Sequence, residues 1–318
     1  MTLANDGISI NQLGNAEGKI EVENVGPVSI TLRADTSTPI QRTVRITLYR
    51  EGERIDIENE ITQNFNDVLS YDFGFNLDVP IAHHEEVGAI ARAETQSRGG
   101  DYADRSARYD WLTFNHFADI TGKEGIGVTL SNMDSYFFQL GDSEAKRLDT
   151  SKAVLRALIG GQIDGENLGI QRQGGDAYFL NRFALRTHGK YDPAAAMRFS
   201  LEHQNPLLTG WARGVNPKLP EKIFSAIQVS NPSVLLWAFK PAEPDIREGI
   251  VARLWNLSEK EQSATVQLKP FPIQRANTVS HLETDREEMP VKKNGFSADF
   301  KRQQIRTFRL IQGNNQWK

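Results

Sequence analysis

The sequence predicts an all-β protein, a large β-sandwich region followed by a smaller one, with few short helices. Three observations carry this. Apolar and polar residues alternate with period two through much of the first half, which sets one group of side chains on a buried face and the other in water. A stretch studded with proline, glycine and asparagine, residues 205–220, separates that half from a second group of strand-like segments. One segment alone has the composition and flanks of a helix.

Taken in order, the lead from Thr2 to Asn15 has no core pattern. Ile30 and Leu32 begin the alternation. Val44, Ile46 and Leu48 then point one way while Arg45, Thr47 and Tyr49 point the other. After Arg50-Glu51-Gly52-Glu53, Ile55, Ile57, Asn59 and Ile61 resume the pattern opposite Asp56, Glu58 and Glu60, as in a hairpin turning near Gly52. From Gly88 to Tyr109 the chain is polar and includes Arg98-Gly99-Gly100-Asp101, so a long surface loop is expected. Ile126, Val128 and Leu130 form another strand with one buried face. Asp192 is placed to cap a helix, Pro193 suits its first position, and Ala194 to Leu201 holds strong helix formers. That helix should stop near Asn205-Pro206, because a residue before proline is pushed out of helical geometry. Beyond the linker, Val234 to Phe239, Ile250 to Trp255, Ala264 to Leu268 and Ile305 to Leu310 read as strands. The expected domains are therefore residues 1–210 and 221–318, joined by 205–220.

The 318 residues suffice for two full-sized cores. With 39% hydrophobic residues, 25% charged residues and a net charge of −4, no basic field exists to hold a polyanion, and nucleic acid is not an expected partner. No apolar run approaches the roughly 20 residues that span a bilayer, and Met1 to Gly7 has neither a basic segment nor an apolar core. No membrane partner is expected. The absence of cysteine excludes disulfides, a thiolate nucleophile and thiolate-ligated zinc. It fits a reducing, cytoplasmic compartment.

Several stretches, in order, resemble the C-terminal β-region of family 38 glycoside hydrolases. They are Arg54-Ile55-Asp56-Ile57, Gly127-Val128-Thr129-Leu130-Ser131-Asn132, Gln204-Asn205-Pro206-Leu207, Ser225 to Val229, Val234 to Glu243, Val251 to Asn256 and Gln304 to Leu310. The resemblance implies a mutarotase-like super-sandwich followed by a small sandwich, and it places a strand at Ser151 to Ile159, where composition alone favours a helix. Family 38 enzymes are retaining α-mannosidases whose zinc and carboxylate nucleophile belong to a preceding catalytic domain. The family's His-x-Asp metal motif and its His-His-Asp-Ala segment are both absent from this sequence. The resemblance thus implies no cofactor in this chain and zinc in the catalytic domain.

A retaining glycosidase needs two carboxyl groups about 5 Å apart. Glu85-Glu86 and Glu287-Glu288 are adjacent in sequence, and strand neighbours point to opposite faces. The same alternation works against a metal site from His83, His84 and Glu86. His116, His188, His203 and His281 stand singly and receive no role. Trp237 and Trp255 offer ring faces to a sugar, yet Trp255 shares its strand face with Val251 and Arg253, a mixture suited to packing. Arg253 and Trp255 remain the candidate substrate-binding residues, and no catalytic or metal-binding residue is assigned. Asp110-Trp111 and Gly210-Trp211-Ala212-Arg213 place aromatic residues near loops. The expected function is the supporting, non-catalytic β-region of an α-mannosidase-like hydrolase, with the catalytic domain as partner and mannosides or glycans reached through the full-length enzyme. A self-standing carbohydrate-binding or interaction module is the alternative. A complete mutarotase-type enzyme lacks a recognisable His and Glu arrangement.

Overall fold

A computed structural model describes residues 2–5, 8–9, 19–160 except 39 and 67, 171–211, 214, and 223–312 except 244, 270–271 and 293. The chain divides into two units, Met1–Pro206 and Leu207–Lys318. Much of the expected linker, at 212–213 and 215–220, lies outside the described residues. The all-β class holds, with a single α-helix among the described residues. None of the described helices is long and apolar enough to cross a membrane.

The large unit is built on a nine-stranded antiparallel sheet. From edge to edge its strands are Ile20–Val25, Ser29–Thr36, Arg42–Tyr49, Arg54–Ile61, Phe179–His188, Gly127–Asn132, Phe117–Thr121, Ile81–Glu86 and Ala89–Arg92. A six-stranded sheet faces it, in the order Leu112–Thr113, Phe137–Leu140, Val154–Gly160, Leu69–Gly74, Thr2–Asn5 and Ile8–Ser9. The core lies between them: Ile57, Ile61, Leu130 and Phe183 come from the first sheet, and Tyr71, Phe73, Phe138 and Leu155 from the second. Phe183 joins the two directly, edge-on to Phe73 at 5.1 Å and to Tyr71 at 6.2 Å between ring centroids.

The expected hairpin forms, with Ile46 opposite Ile57 and Leu48 opposite Ile55. Gly52 takes φ 108° in its turn, a conformation that glycine enters without steric cost. Strand Val154–Gly160 forms where composition alone favours a helix, because it pairs with Leu69–Gly74 and sends Leu155 and Ala157 into the core. Tertiary burial outweighs the few tenths of a kcal/mol per residue of helix propensity. The helix spans Pro193–Gln204, and Asp192 Oδ1 accepts hydrogen bonds from the amides of Ala194 at 2.9 Å and Ala195 at 3.4 Å.

Two expectations are corrected. Part of the patternless lead, Thr2–Asn5, forms a strand beside Leu69–Gly74. The rest of that lead, apart from Ile8–Ser9, is outside the described residues. The segment from Gly88 to Tyr109 is not a free surface loop. Its first part, Ala89–Arg92, closes the edge of the nine-stranded sheet with Ile90 and Ala91 buried, and Tyr109 is buried further along. The remainder is drawn in by close backbone contact: a Cβ added at Gly100 would lie 1.9 Å from the Glu94 carbonyl oxygen.

The small unit pairs a four-stranded sheet (Ile227–Val229, Gln262–Leu268, Gly295–Phe300, Val291–Lys292) with a five-stranded one (Val234–Pro241, Ile250–Asn256, Ile305–Gln312, Ile273–Val279, Asp285–Met289). Ala252, Leu254, Val266, Phe296 and Phe308 meet in its core. Asn256, which opens an Asn-Leu-Ser glycosylation triplet, is fully buried and donates from Nδ2 to the carbonyls of Lys260 and Lys301, both at 2.8 Å. As folded, it presents no amide to a glycan.

Candidate functional site

Five of the six histidines belong to the large unit, and the sheet gathers what the sequence scatters. Cross-strand pairing sets His83 opposite Asp119, Asp119 opposite Thr129, and Thr129 opposite Arg186. Directly opposed residues share a face, so these four form one polar row. The helix packs over strands Phe117–Thr121, Gly127–Asn132 and Phe179–His188. Asp119 is fully buried and accepts from Thr129 Oγ1 at 2.7 Å, Thr121 Oγ1 at 3.0 Å and His188 Nε2 at 2.7 Å. Gly127 makes the last two contacts possible. A Cβ there would meet His188 Cε1 at 2.5 Å and Thr121 Oγ1 at 2.6 Å.

The second nitrogen of His188 donates to the Gly189 carbonyl at 2.9 Å, so both ring nitrogens act as donors. Both contacts favour the protonated ring. Burial works against that charge, but the hydrogen bond and negative charge of Asp119, with the Gly189 carbonyl, raise the pKa of His188 above its ordinary value. His83 is the contrast. Its ring lies flat on Tyr191, with centroids 4.2 Å apart and planes 11° apart, and burial lowers its pKa to about 4 despite the charge of Asp119. Burial also lowers His203, whose Nδ1 shares a 2.9 Å hydrogen bond with the buried Ser131 hydroxyl.

The adjacent pair Glu85-Glu86 separates onto the two faces, as strand geometry requires. Glu85 is fully buried and takes a hydrogen bond from His116 Nδ1 at 2.7 Å through Oε2, while its Oε1 has no partner among the described residues. Glu86 accepts from Thr113 Oγ1 at 3.1 Å. His84, on the same side as Glu86, donates from Nδ1 to the Thr113 carbonyl at 2.7 Å and accepts at Nε2 from Tyr102 at 2.8 Å. Burial lowers the His84 pKa, in keeping with this neutral ring, and Tyr102 is pinned by it. Glu85, Glu86, His84 and His116 thus each have an internal partner. The described residues contain no group of three histidines or carboxylates able to hold a metal ion, and His83, His84 and Glu86 do not fit zinc because His83 lies on the opposite face of the sheet from His84 and Glu86.

This arrangement clamps strands to one another. Substituting Gly127→Ala should displace His188 from Asp119 and cost about 1–3 kcal/mol, the usual range for overpacking. Denaturant unfolding of the large unit, read by near-ultraviolet circular dichroism, measures the loss.

In the small unit, Trp255 is fully buried with its indole edge-on to Trp237, 5.4 Å between centroids and 87° between planes. As folded, no face of its ring is open to a sugar. Arg253 donates from Nε to Thr307 Oγ1 at 3.1 Å and from Nη2 to the His281 carbonyl at 3.3 Å. Thr307 and His281 both line an open concavity of about 550 Å³, together with Glu261, Arg286, Glu287 and Lys301. Arg253 therefore braces the wall of that concavity. Its lining mixes cations, Arg286, Lys301 and Arg306, with carboxylates, Glu261, Glu287 and Asp299. Glu287 and Glu288 are exposed on the strand Asp285–Met289. Trp211 is exposed, and its neighbours Ala212 and Arg213 are outside the described residues.

The stretch that holds Arg253, Trp255 and this concavity, residues 233–308, matches the family model of the glycosyl hydrolases family 38 C-terminal beta sandwich domain. The fold likeness extends beyond it. An α-mannosidase from Enterococcus faecalis V583 superposes with a TM-score of 0.66 at 14% identity, over 93% of this chain and 35% of that one. A family 38 glycosyl hydrolase from Enterococcus faecalis gives 0.68 at 14% identity, over 93% and 36%. The chain spans about a third of the length of these structures. No curated protein matches it.

Proposed function

We propose that this chain is the largely non-catalytic β-region of an α-mannosidase-like glycoside hydrolase, which supports a catalytic domain carrying the zinc and the nucleophile. The observation that carries this reading is the match of residues 233–308 to the family 38 C-terminal β-sandwich model, set in a fold that follows the Enterococcus faecalis α-mannosidase over 93% of the chain. The internal pairing of Asp119, Glu85 and the large unit's histidines supports it, since groups engaged in clamping strands are poorly placed to protonate a leaving group. Arg253 shapes the rim of the sugar site by holding Thr307 and His281 in place. Carbohydrate is reached through the assembled enzyme.

Hydrolysis of an aryl α-mannoside with added zinc, by this chain and by the product of its full open reading frame, tests the reading. Turnover by the longer product alone is expected. Turnover by the 318-residue chain alone would overturn the division of labour and return the search to its carboxylates.

A further inference from the structure

On the core-facing side of the nine-stranded sheet, three cross-strand rows continue past the sandwich. They are Ile20, Ala34 and Val44; Val22, Leu32 and Ile46; and Val25, Ile30 and Leu48. The middle row runs on into the core through Ile57 and Phe183. Along it, exposure rises from 0% at Phe183 and 5% at Ile57 to 36% at Ile46 and 59% at Val22, and both Ile20 and Val25 reach 70%. The opposite side of the same strands is ionic, with Glu23 paired to Arg33 and Arg45, and Arg33 to Asp35. The sequence thus patterns these three strands as though both faces were accounted for. One face has water, and no strand among the described residues covers the other.

The uncovered face exposes on the order of 500 Å² of apolar surface, the size at which patches on monomers are often functional. It carries no charge along its three rows, so its partner must be apolar where it lands, because an unpaired charge there would be desolvated without compensation. Area decides how that partner is held. Closing the face buries on the order of 1,000 Å² in total, below the roughly 1,200–2,000 Å² of interfaces that keep free partners together. It falls within the roughly 600–1,500 Å² of interfaces between domains of one chain. A domain tethered to the same polypeptide fits, and a freely diffusing second copy does not.

We propose that the uncovered face of strands Ile20–Val25, Ser29–Thr36 and Arg42–Tyr49 seats an apolar surface of the catalytic domain. This rests on the reading above. The Enterococcus faecalis α-mannosidase, of which this chain spans 35%, indicates how much further polypeptide such an enzyme carries.

Hydroxyl-radical footprinting of Val22, Ile46 and Leu48, in this chain and in the product of the full open reading frame, provides the test. Oxidation several-fold slower in the longer protein is expected, with the Ile46→Lys variant restoring the fast rate there while leaving the fold of the shorter chain intact. Equal oxidation in the two proteins, with α-mannosidase turnover in the longer one, overturns the seat and leaves the functional reading standing. Protection without turnover supports the seat and overturns the mannosidase reading. Concentration-dependent dimerisation of the shorter chain, abolished by Ile46→Lys, makes a second copy the occupant and overturns the proposal.

Discussion

Replacing Phe183 with alanine should destabilise the large unit by about 3–5 kcal/mol, the usual cost of removing a fully buried phenylalanine. The expected value is at the upper end because of what the ring joins. Phe183 comes from the nine-stranded sheet and meets Phe73 and Tyr71 from the six-stranded sheet, both edge-on. Its loss removes area burial and two aromatic contacts, each worth about 0.5–1.5 kcal/mol beyond that burial. The neighbours are poorly able to collapse into the space, because Leu185 and Asn181 on the same strand face are held in register opposite Ile55 and Asn59. The small unit has a separate core around Leu254, Val266 and Phe308. Urea unfolding followed by intrinsic fluorescence and near-ultraviolet dichroism should show an early transition for the large unit, with that of the small unit unmoved. A single transition shifted as a whole would instead mean that the units unfold together.

The legibility of this fold follows from which physical pattern each element carries. Strands Arg42–Tyr49 and Arg54–Ile61 were readable because one of their faces is apolar and the other ionic, so period two is written in the residues themselves. The helix was readable for a different reason, a local signature of Asp192 as cap and Pro193 at the first position. Strand Asp285–Met289 was not readable, since it is an edge strand of exposed charged residues with no buried alternation to betray it. The polar row His83, Asp119, Thr129 and Arg186 was invisible for a topological reason. Its members come from four strands, and only the pairing register brings them to one line. The single local trace was Gly127, at the head of strand Gly127–Asn132, where a missing side chain makes room for His188. Trp255 shows the opposite case. Alternation placed it correctly on the face with Val251 and Arg253, but alternation alone does not show that the face is buried.

The same buried row makes stability depend on pH in a direction that can be worked out. The ring of His83 takes a proton near pH 6.5 when the chain is unfolded and only near pH 4 in the fold, because burial against Tyr191 disfavours the charged form more than Asp119 favours it. Between these values the unfolded chain binds more protons than the native one, so stability falls as pH falls from about 6.5 to about 4. A difference of about 2.5 pKa units corresponds to about 3 kcal/mol for this one group. The His83→Gln variant cannot take up that proton, and its stability should lack that part of the acid slope. His188 behaves in the reverse sense: its pKa is raised in the fold, so its contribution is complete below about 6.5 and fades as pH rises through the folded value. The two histidines therefore act in different pH windows although both face Asp119, and the difference curve between wild type and His83→Gln isolates the first from every other titrating group. Urea midpoints for both proteins at intervals from pH 7 to pH 4 give that curve. Parallel curves would mean that His83 is protonated in the fold at the same pH as in the unfolded chain, which would require water or a hydrogen-bond acceptor at its Nδ1, an atom without a partner among the described residues.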